Sequence, residues 1–312
     1  MIKKKVLIFC VLILLFFTPA QAGTFTTPDW LINSCVFIMS DEEAKGTGFL
    51  IWIKEYDFNF CYLVTAKHVA QSVLSNNQNP LKVRFNLKEG NNSKIIDFPT
   101  FNFEGKRWIE HENPAIDIAV IPLTIFDKVS KLEVGVRLIE SPEDEFLATT
   151  QWIDRYKVAP GDQAFTLGLV PYLYAKDQKN LVLSRYGTIS LLLDQEINLP
   201  GGKQKAYFLD CQAFPGNSGG PAFVLIERSE KGPLLSGWRF GLLGVVSEFV
   251  PSALRTRRID IQDTQDQTAI QLIENTGISK IIPVDYLVDI LFSDNQKYFR
   301  KEIIEQKKAG LH

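Results

Sequence analysis

The sequence predicts an all-β protein built from short strands, and three observations support this fold class. Runs rich in β-branched and aromatic residues recur along the chain, and each is bounded by turn-forming residues. The stretch Leu81 to Leu87 places Leu81, Val83, Phe85 and Leu87 at every second position, which is the period of a strand. Helical periodicity appears only near the C-terminus. This spacing is typical of a barrel or a sandwich rather than of alternating strands and helices.

The strand candidates fall into two groups. The first group comprises Cys35 to Met39, Gly48 to Ile53, Phe60 to Thr65, Leu81 to Leu87 and the continuous apolar run Ile116 to Leu123. The second group comprises Gln163 to Leu169, Leu181 to Leu193, Lys205 to Leu209, Ala222 to Ile226 and Phe240 to Phe249. The polar stretch Ser141 to Glu145 lies between them and predicts a linker. We therefore predict an N-terminal unit over 23–145 and a C-terminal unit over 146–282.

The C-terminal segment, 283–312, is predicted to be helical. Pro283 is expected in the first turn of an amphipathic helix, whose apolar positions have the spacing i, i+3, i+4, i+7. These positions are Val284, Leu287, Val288 and Leu291. A second, more charged helix is expected from about Asn295 to Lys308.

Residues 1–22 are predicted to be a secretory signal peptide. Three lysines at positions 3 to 5 precede an apolar run from Val6 to Phe17, and Ala20-Gln21-Ala22 is a small-residue cleavage pattern. The alternative is a membrane anchor, but the run is shorter than the roughly 20 apolar residues that span a bilayer. We expect a secreted or periplasmic protein with no stable membrane anchor after cleavage.

The composition is that of a globular protein, with 46% hydrophobic and 22% charged residues. A net charge of -2 gives no reason to expect a nucleic-acid partner. After loss of Cys10, three cysteines remain, and an odd number cannot pair fully within one chain. Cys35 and Cys61 could form a disulfide, or all three, Cys211 included, could be buried thiols. No Cys or His pair has zinc-ligand spacing, so we expect neither a metal nor a cofactor.

The stretch Phe214-Pro215-Gly216-Asn217-Ser218-Gly219-Gly220-Pro221 is the most informative part of the sequence. A serine nucleophile must stand on a tight turn, and the oxyanion formed by its attack needs backbone N–H donors beside it. Glycines allow the amides of Gly216 and Ser218 to converge on one point. The alternative is an ordinary glycine-rich loop, since short G-x-S-x-G matches occur by chance.

A nucleophilic serine needs a general base, and the chain has three histidines. His312 is the last residue, and His111 lies in a polar stretch where we expect it to be solvated. His68 follows the apolar run Tyr62 to Thr65, which places it at the end of a strand. Asp117 begins another apolar run, where a carboxylate needs a partner, and a protonated histidine is such a partner. The order His, Asp, Ser differs from the order in other folds that carry this triad.

These blocks resemble the motifs of trypsin-like serine proteases, most closely the bacterial HtrA/Deg branch. The resemblance rests on Gly46 to Leu50, Thr65 to Val69, Asp117 to Val120, Asp210 to Pro221, Gly244 to Val246 and Ile281 to Leu287. It implies two six-stranded antiparallel β-barrels of the chymotrypsin-like kind, followed by a C-terminal helix. It also implies His68, Asp117 and Ser218 as the catalytic residues and the Gly216 and Ser218 amides as the oxyanion hole.

The resemblance further implies a substrate site formed by Gln212 and by the strand residues Ser247, Glu248 and Phe249. Two features depart from the HtrA branch. The residues after Phe292 are too few for the peptide-binding PDZ domain that usually follows the protease, and Lys67 stands where Asn or Ala is more common.

We therefore predict a serine endopeptidase that acts on a protein or peptide substrate; its oligomeric state is left open. The first alternative is a catalytically silent, peptide-binding protein with the same fold. The second is a hydrolase of small esters, whose usual fold requires alternating strands and helices and a Ser-first order.

Overall fold

The computed structural model describes residues 25–40, 43–73, 80–98, 108–123, 131–170, 178–229, 232–233, 238–252 and 274–310. The predicted signal peptide, 1–22, lies outside these ranges. The first-half strands are β1 Cys35–Ser40, β2 Glu43–Glu55, β3 Phe58–Thr65, β4 Leu81–Leu87, β5 Ser93–Phe98, β6 Ile109–Glu110, β7 Ala119–Leu123, β8 Leu132–Glu133 and β9 Leu138–Ile139. The second-half strands are β10 Gln163–Leu169, β11 Val182–Leu192, β12 Ile197–Leu199, β13 Gly202–Gln204, β14 Tyr207–Asp210, β15 Pro221–Ile226, β16 Arg228–Ser229, β17 Gly232–Pro233, β18 Arg239–Ser252 and β19 Glu274–Pro283. The helices are α1 Asp29–Ile32, α2 Lys67–Ser72, α3 Thr150–Tyr156, α4 Val284–Leu291 and α5 Asp294–Lys308.

The first half is a nine-stranded sheet in the order β5-β4-β1-β2-β3-β7-β6, with β8 paired to β4 and β9 to β2. Its long strand β2 is continuously apolar from Phe49 to Ile53 because both faces of the sheet are covered there. Phe49 and Ile51 pack in one core, whereas Leu50 and Trp52 pack in another.

The second half is a closed barrel in the order β10-β11-β14-β19-β18-β15. Closure pairs both edges of every strand, so the barrel has no free edge where all six strands run together. The all-β fold class is therefore confirmed, together with a six-stranded second barrel. The first half differs from the expected six strands, because its sheet has seven strands in its main path and two short side branches, β8 on β4 and β9 on β2.

The last helix, α5, packs back against the first half. Arg300 of α5 is only 2% exposed, and its guanidinium binds Glu55 of β2 and the Tyr62 hydroxyl of β3. Gln296 accepts a further hydrogen bond from Tyr62 at 3.2 Å. Both predicted helices are present. Pro283, however, is the N-cap of α4 and the last residue of β19 rather than a first-turn residue, because its backbone is extended (φ -53°, ψ 144°).

Helix α3 was missing from the sequence prediction. Thr149 caps its N-terminus by accepting a hydrogen bond from the Trp152 amide at 3.4 Å, and the helix ends at Lys157 in the left-handed region. Asp285 of α4 accepts a hydrogen bond from the Thr150 amide at 3.0 Å, so the start of α3 is fixed by a residue far along the chain.

Within the described residues, no helix has both the length and the apolar character needed to cross a membrane.

Cys35, Cys61 and Cys211 are free and buried. Cys35 packs in one core of the first half and Cys61 in another, so the side chains belong to different clusters and do not meet in a disulfide. Burial raises the pKa of Cys35 to about 12. Of the two alternatives drawn from the sequence, the structure has the three buried thiols.

Candidate active site

The Ser218 loop joins β14 to β15, and two of its glycines have backbones that other residues rarely adopt. Gly216 has φ +96° and Gly219 has φ +86°. A Cβ atom at Gly219 would collide with the Thr47 carbonyl oxygen and the Thr65 hydroxyl. The glycine at this position therefore allows the serine loop to lie directly against strands β2 and β3 of the first half.

Asn217 holds the loop from the inside. Its side chain is 3% exposed, and its Oδ1 accepts a hydrogen bond from the Phe214 amide at 2.9 Å. Its Nδ2 donates to the Leu169 carbonyl of β10 at 3.1 Å. The Asn217 amide closes the turn by donating to the Phe214 carbonyl at 2.9 Å. These bonds fix the residue immediately before Ser218 to the barrel wall.

Thr47 of β2 holds the same loop from the opposite side. Its amide donates to the Ser218 carbonyl at 3.0 Å, and its hydroxyl donates to the Gly216 carbonyl at 2.6 Å. The same hydroxyl accepts a hydrogen bond from the Leu169 amide at 2.9 Å. Sequence reasoning assigned Thr47 no role. Its position between Gly46 and Gly48 was the one available signal, because flanking glycines permit a close backbone approach.

His68 and Asp117 form a two-point contact. His68 is the second residue of α2, just past the end of β3 rather than within the strand. Its Nδ1–H donates to Asp117 Oδ2 at 2.9 Å, and its backbone amide donates to Asp117 Oδ1 at 3.0 Å. Because Nδ1 carries the proton, Nε2 remains as an acceptor. The His68 side chain is 52% exposed and that of Asp117 is 18% exposed, so the imidazole faces solvent and the carboxylate stands behind it.

Two further residues position Asp117. The Ser247 hydroxyl of β18 donates to Asp117 Oδ2 at 2.6 Å. The Lys67 ammonium donates to the Pro114 carbonyl and so ties the segment that precedes Asp117 to α2. Neither contact was predicted, and the first joins residues 130 positions apart in the chain.

The pKa values of the pair are shifted in opposite directions. Burial by itself raises the pKa of Asp117, but the hydrogen bonds from His68 and Ser247 outweigh it, and the pKa lies below its ordinary value. The pKa of His68 is raised, chiefly by its hydrogen bond to Asp117, against a smaller opposing effect of burial. Asp117 is thus ionised at neutral pH and stabilises a proton on His68.

Ser218 is brought to the same place as this pair. Its carbonyl is bound to Thr47, and the neighbouring Gly219 lies against Thr65 and Ala66, which directly precede α2. Within the described part of the chain, Ser218 Oγ and His68 make no hydrogen bond. In ligand-free enzymes this contact often forms only when substrate binds. The Gly216 and Ser218 amides donate to no other described protein group and are therefore available to an oxyanion.

The four residues predicted to contact substrate differ in their exposure and in their contacts. Gln212 is exposed, as a substrate-contacting residue must be. The Ser247 side chain is 2% exposed and is engaged with Asp117, so its backbone rather than its side chain remains for contact with a substrate. Glu248 is exposed and pairs with Lys280. The backbone of Phe249 belongs to β18, but its side chain lies outside the described part of the structure.

His111 was expected to be solvated, but most of its side chain is covered. Its side chain is 15% exposed, and its Nδ1 accepts a hydrogen bond from the Asn113 amide at 3.0 Å. Its ring stands edge-on to Tyr286, with the ring centroids 5.1 Å apart. The polar residues around it suggested a solvated loop, but helix α4 covers the ring. None of these partners belongs to the Ser218 loop.

No protein-family model matches the sequence, and no curated protein matches it by sequence. Solved protease structures do match. The apo MamO protease domain from Magnetospirillum magneticum is 12% identical, over 83% of this chain and 96% of that chain, with a TM-score of 0.45. An inactive form of Rv3671c from M. tuberculosis is 15% identical, over 84% of this chain and 86% of that chain, with a TM-score of 0.41. The HtrA-type protease AlgW with a decapeptide is 13% identical, over 84% of this chain and 64% of that chain, with a TM-score of 0.41. At such TM-scores the likeness carries no functional argument, and function is argued from the chain's own geometry.

Proposed function

We propose that this protein is a secreted serine endopeptidase. The observation that carries the proposal is the Asp117–His68 pair, with its Nδ1 bond at 2.9 Å, next to a glycine-rich loop that presents Ser218. A partly buried, ionised carboxylate that fixes the tautomer of a half-exposed imidazole is the arrangement that general-base catalysis requires. The free amides of Gly216 and Ser218 supply the donors that an acyl-transfer intermediate needs.

The reaction is acyl transfer in two steps. Ser218 Oγ attacks the peptide carbonyl while His68 Nε2 takes its proton, and Asp117 stabilises the imidazolium. The carbonyl oxygen becomes an oxyanion at the Gly216 and Ser218 amides. The C–N bond then breaks, and the leaving amine receives the proton from His68. Water repeats the sequence on the acyl-enzyme and releases the carboxylic acid, which restores the Ser218 hydroxyl.

The peptide substrate is proposed to add as a strand to β18. The pairing of β18 with β15 stops at Val245, opposite Pro221, whereas its pairing with β19 continues past Glu248. Among the residues that the structure describes, 247–249 consequently have β19 on one side and no strand on the other. An open strand edge binds an extended peptide through main-chain hydrogen bonds, which suits a protein substrate better than a small ester.

The experiment that tests the activity uses a serine-reactive phosphonate and internally quenched peptides with the protein cleaved after Ala22. We expect the phosphonate to label Ser218 and the peptides to be cut, with Ser218→Ala as the negative control. A protein that binds the peptides but resists the phosphonate would instead be the silent, peptide-binding alternative. Labelling with turnover of small esters and no peptide cleavage would support the esterase alternative.

Export is the part of the proposal that rests on residues 1–22 alone. Expression of the full chain in a bacterial host, followed by fractionation and N-terminal sequencing of the product, tests it. We expect a protein that begins at Gly23 outside the cytoplasm. A protein that keeps residues 1–22 would contradict the signal-peptide assignment.

A further inference from the structure

Strand β18 carries a charged pair close to the proposed catalytic residues. Val246 pairs with Ile281 and Glu248 pairs with Lys280, so Ser247 is an extra residue at a bulge between them. A bulge changes the alternation of side chains along a strand. Ser247 points to Asp117, and the next residue, Glu248, binds the ammonium of Lys280 at 3.3 Å.

The two partners differ strongly in accessibility. The Lys280 side chain is 8% exposed, whereas that of Glu248 is 54% exposed. A nearly buried ammonium requires a counter-ion, and among the described residues its carboxylate partner is Glu248 Oε1. The pair therefore fixes Glu248 from behind. The second oxygen, Oε2, makes no hydrogen bond within the described residues.

Glu248 directly follows Ser247, whose hydroxyl binds the carboxylate that holds His68, so the pair lies beside the proposed catalytic residues. The carboxylate of Glu248 raises the pKa of His68, and the ammonium of Lys280 lowers it. Asp117, Glu248 and Lys280 are the charged groups that act on His68 in the described structure. A substrate that reaches Ser218 and His68 must therefore pass within reach of Glu248.

Strand geometry indicates which substrate residue meets this pair. In an extended peptide, successive side chains point to opposite faces. If the residue before the scissile bond directs its side chain into the second barrel, the residue before that one directs its side chain away from the barrel, toward His68. Ser247 contacts Asp117, and because the bulge interrupts the alternation of side chains at this point, we place Glu248 on the same side of β18.

We propose that Glu248, held in place by Lys280, binds a basic side chain of the substrate residue that lies second before the scissile bond; this rests on the proposed function. Glu248 is then the specificity-determining residue, and Lys280 is a positioning residue. A lysine or arginine side chain pairs with the free Oε2, because Glu248 is half-exposed whereas the Lys280 ammonium is nearly buried. A carboxylate side chain at the same position meets the like charge of Glu248 and is disfavoured.

The test compares peptides that differ only at the second residue before the scissile bond, which is arginine, glutamine or glutamate. For the unmodified enzyme, we expect kcat/KM for arginine to exceed that for glutamine by about threefold to fivefold, as for a half-exposed ion pair. Glu248→Gln should remove this preference while the glutamine peptide is still cleaved. Glu140→Gln, which removes another exposed carboxylate paired with a lysine, should keep it.

The positioning role of Lys280 has its own measurement, the pH profile of kcat/KM with the glutamine peptide. Glu248→Gln should move the acidic limb to lower pH, and Lys280→Gln should move it to higher pH, because the two charges act on His68 with opposite sign. Opposite shifts support the placement of the pair beside His68. Shifts in the same direction, or none, would overturn it.

The failure of this inference is distinguishable from the failure of the proposed function. Cleavage of all three peptides at equal rates, or an arginine preference that survives Glu248→Gln, sinks the specificity assignment and leaves the protease intact. If no peptide is cleaved, affinities of the same peptides for the Ser218→Ala variant decide. A preference for arginine that Glu248→Gln removes still supports the subsite, and equal affinities refute it.

Discussion

Asn217, the residue before Ser218, allows the sharpest test of how the Ser218 loop is held. Trypsin-like zymogens carry an aspartate at this place, which pairs with a newly formed N-terminal ammonium. Here the residue is a neutral amide that is 3% exposed and binds the Phe214 amide and the Leu169 carbonyl. We therefore expect Asn217→Ala to loosen the loop without any change at the N-terminus.

The size of the effect follows from these two bonds. The Leu169 residue is fully buried, so its carbonyl loses a partner that solvent does not replace, which costs about 1–3 kcal/mol. The half-buried Phe214 amide loses one ordinary hydrogen bond, which contributes about 1 kcal/mol. The free energy of unfolding should fall by about 2–4 kcal/mol. Asn198→Ala, on an exposed strand position, is the control and should change it by less than about 0.5 kcal/mol.

Asn217→Asp separates hydrogen bonding from charge. One carboxylate oxygen still accepts the hydrogen bond from the Phe214 amide. The other oxygen replaces the amide nitrogen that donated to the Leu169 carbonyl, so two oxygens face each other. Burial without a cation raises the pKa of such a carboxyl in the folded state above its unfolded value of about 3.9. Its destabilisation should therefore be small below about pH 4 and grow as the pH rises through the folded-state pKa, whereas that of Asn217→Ala should not change with pH. Denaturant unfolding at several pH values measures the stability of the two variants, and phosphonate labelling of Ser218 measures whether the loop keeps its conformation. Full stability and full labelling of Asn217→Ala would refute the reasoning.

Four further predictions concern catalysis. Ser218→Ala and His68→Ala should each lower peptide turnover by about 10⁶-fold with the fold retained. Asp117→Asn should lower turnover by about 10⁴-fold, and the His111→Ala variant should remain active. Loss of activity in His111→Ala alone would contradict the assignment of His68 as the base. Because Asp117 raises the pKa of His68, kcat/KM measured against pH should begin to fall on the acidic side at a pH above the ordinary histidine pKa of about 6.5. A short tag before Gly23 should leave phosphonate labelling unchanged, and labelling seen only after removal of the tag would show that a new N-terminus is needed. Small or medium apolar residues should precede the scissile bond in a cleavage profile, since no acidic residue stands at Gln212; a profile dominated there by Arg, Lys or Glu would contradict this.

The strands were predictable where local chemistry was strong. Leu81–Leu87 and Gln163–Leu169 have the predicted limits, because β-branched and aromatic residues suit a buried, pleated surface wherever it lies. The two-residue strands β8 and β9 carry too little periodicity to be seen. They exist because neighbouring strands offer them hydrogen-bonding partners.

The candidate site divides in the same way. Ser218, His68 and Asp117 were identifiable because each is a residue type with a known chemical role and lies in a recognisable local pattern. Ser218 lies in a glycine-rich loop, and His68 and Asp117 lie at the ends of apolar runs. The contribution of Thr47, the hydroxyl bond from Ser247 to Asp117, and the pairing of Lys280 with Glu248 were not identifiable. Each of these contacts joins segments that are distant in the chain, or depends on the bulge in β18.

The sequence by itself determined the fold class, the candidate nucleophile, base and carboxylate, and the glycines that let a loop turn tightly. These are local properties, since propensity, periodicity and chemical type reside in neighbouring residues. The tertiary structure decided which side chains support them: it joined the Ser247 hydroxyl to Asp117, and it packed the His111 ring against Tyr286 of α4. Such contacts depend on register and packing between strands far apart in the chain, where a shift of one residue reverses which face a side chain occupies.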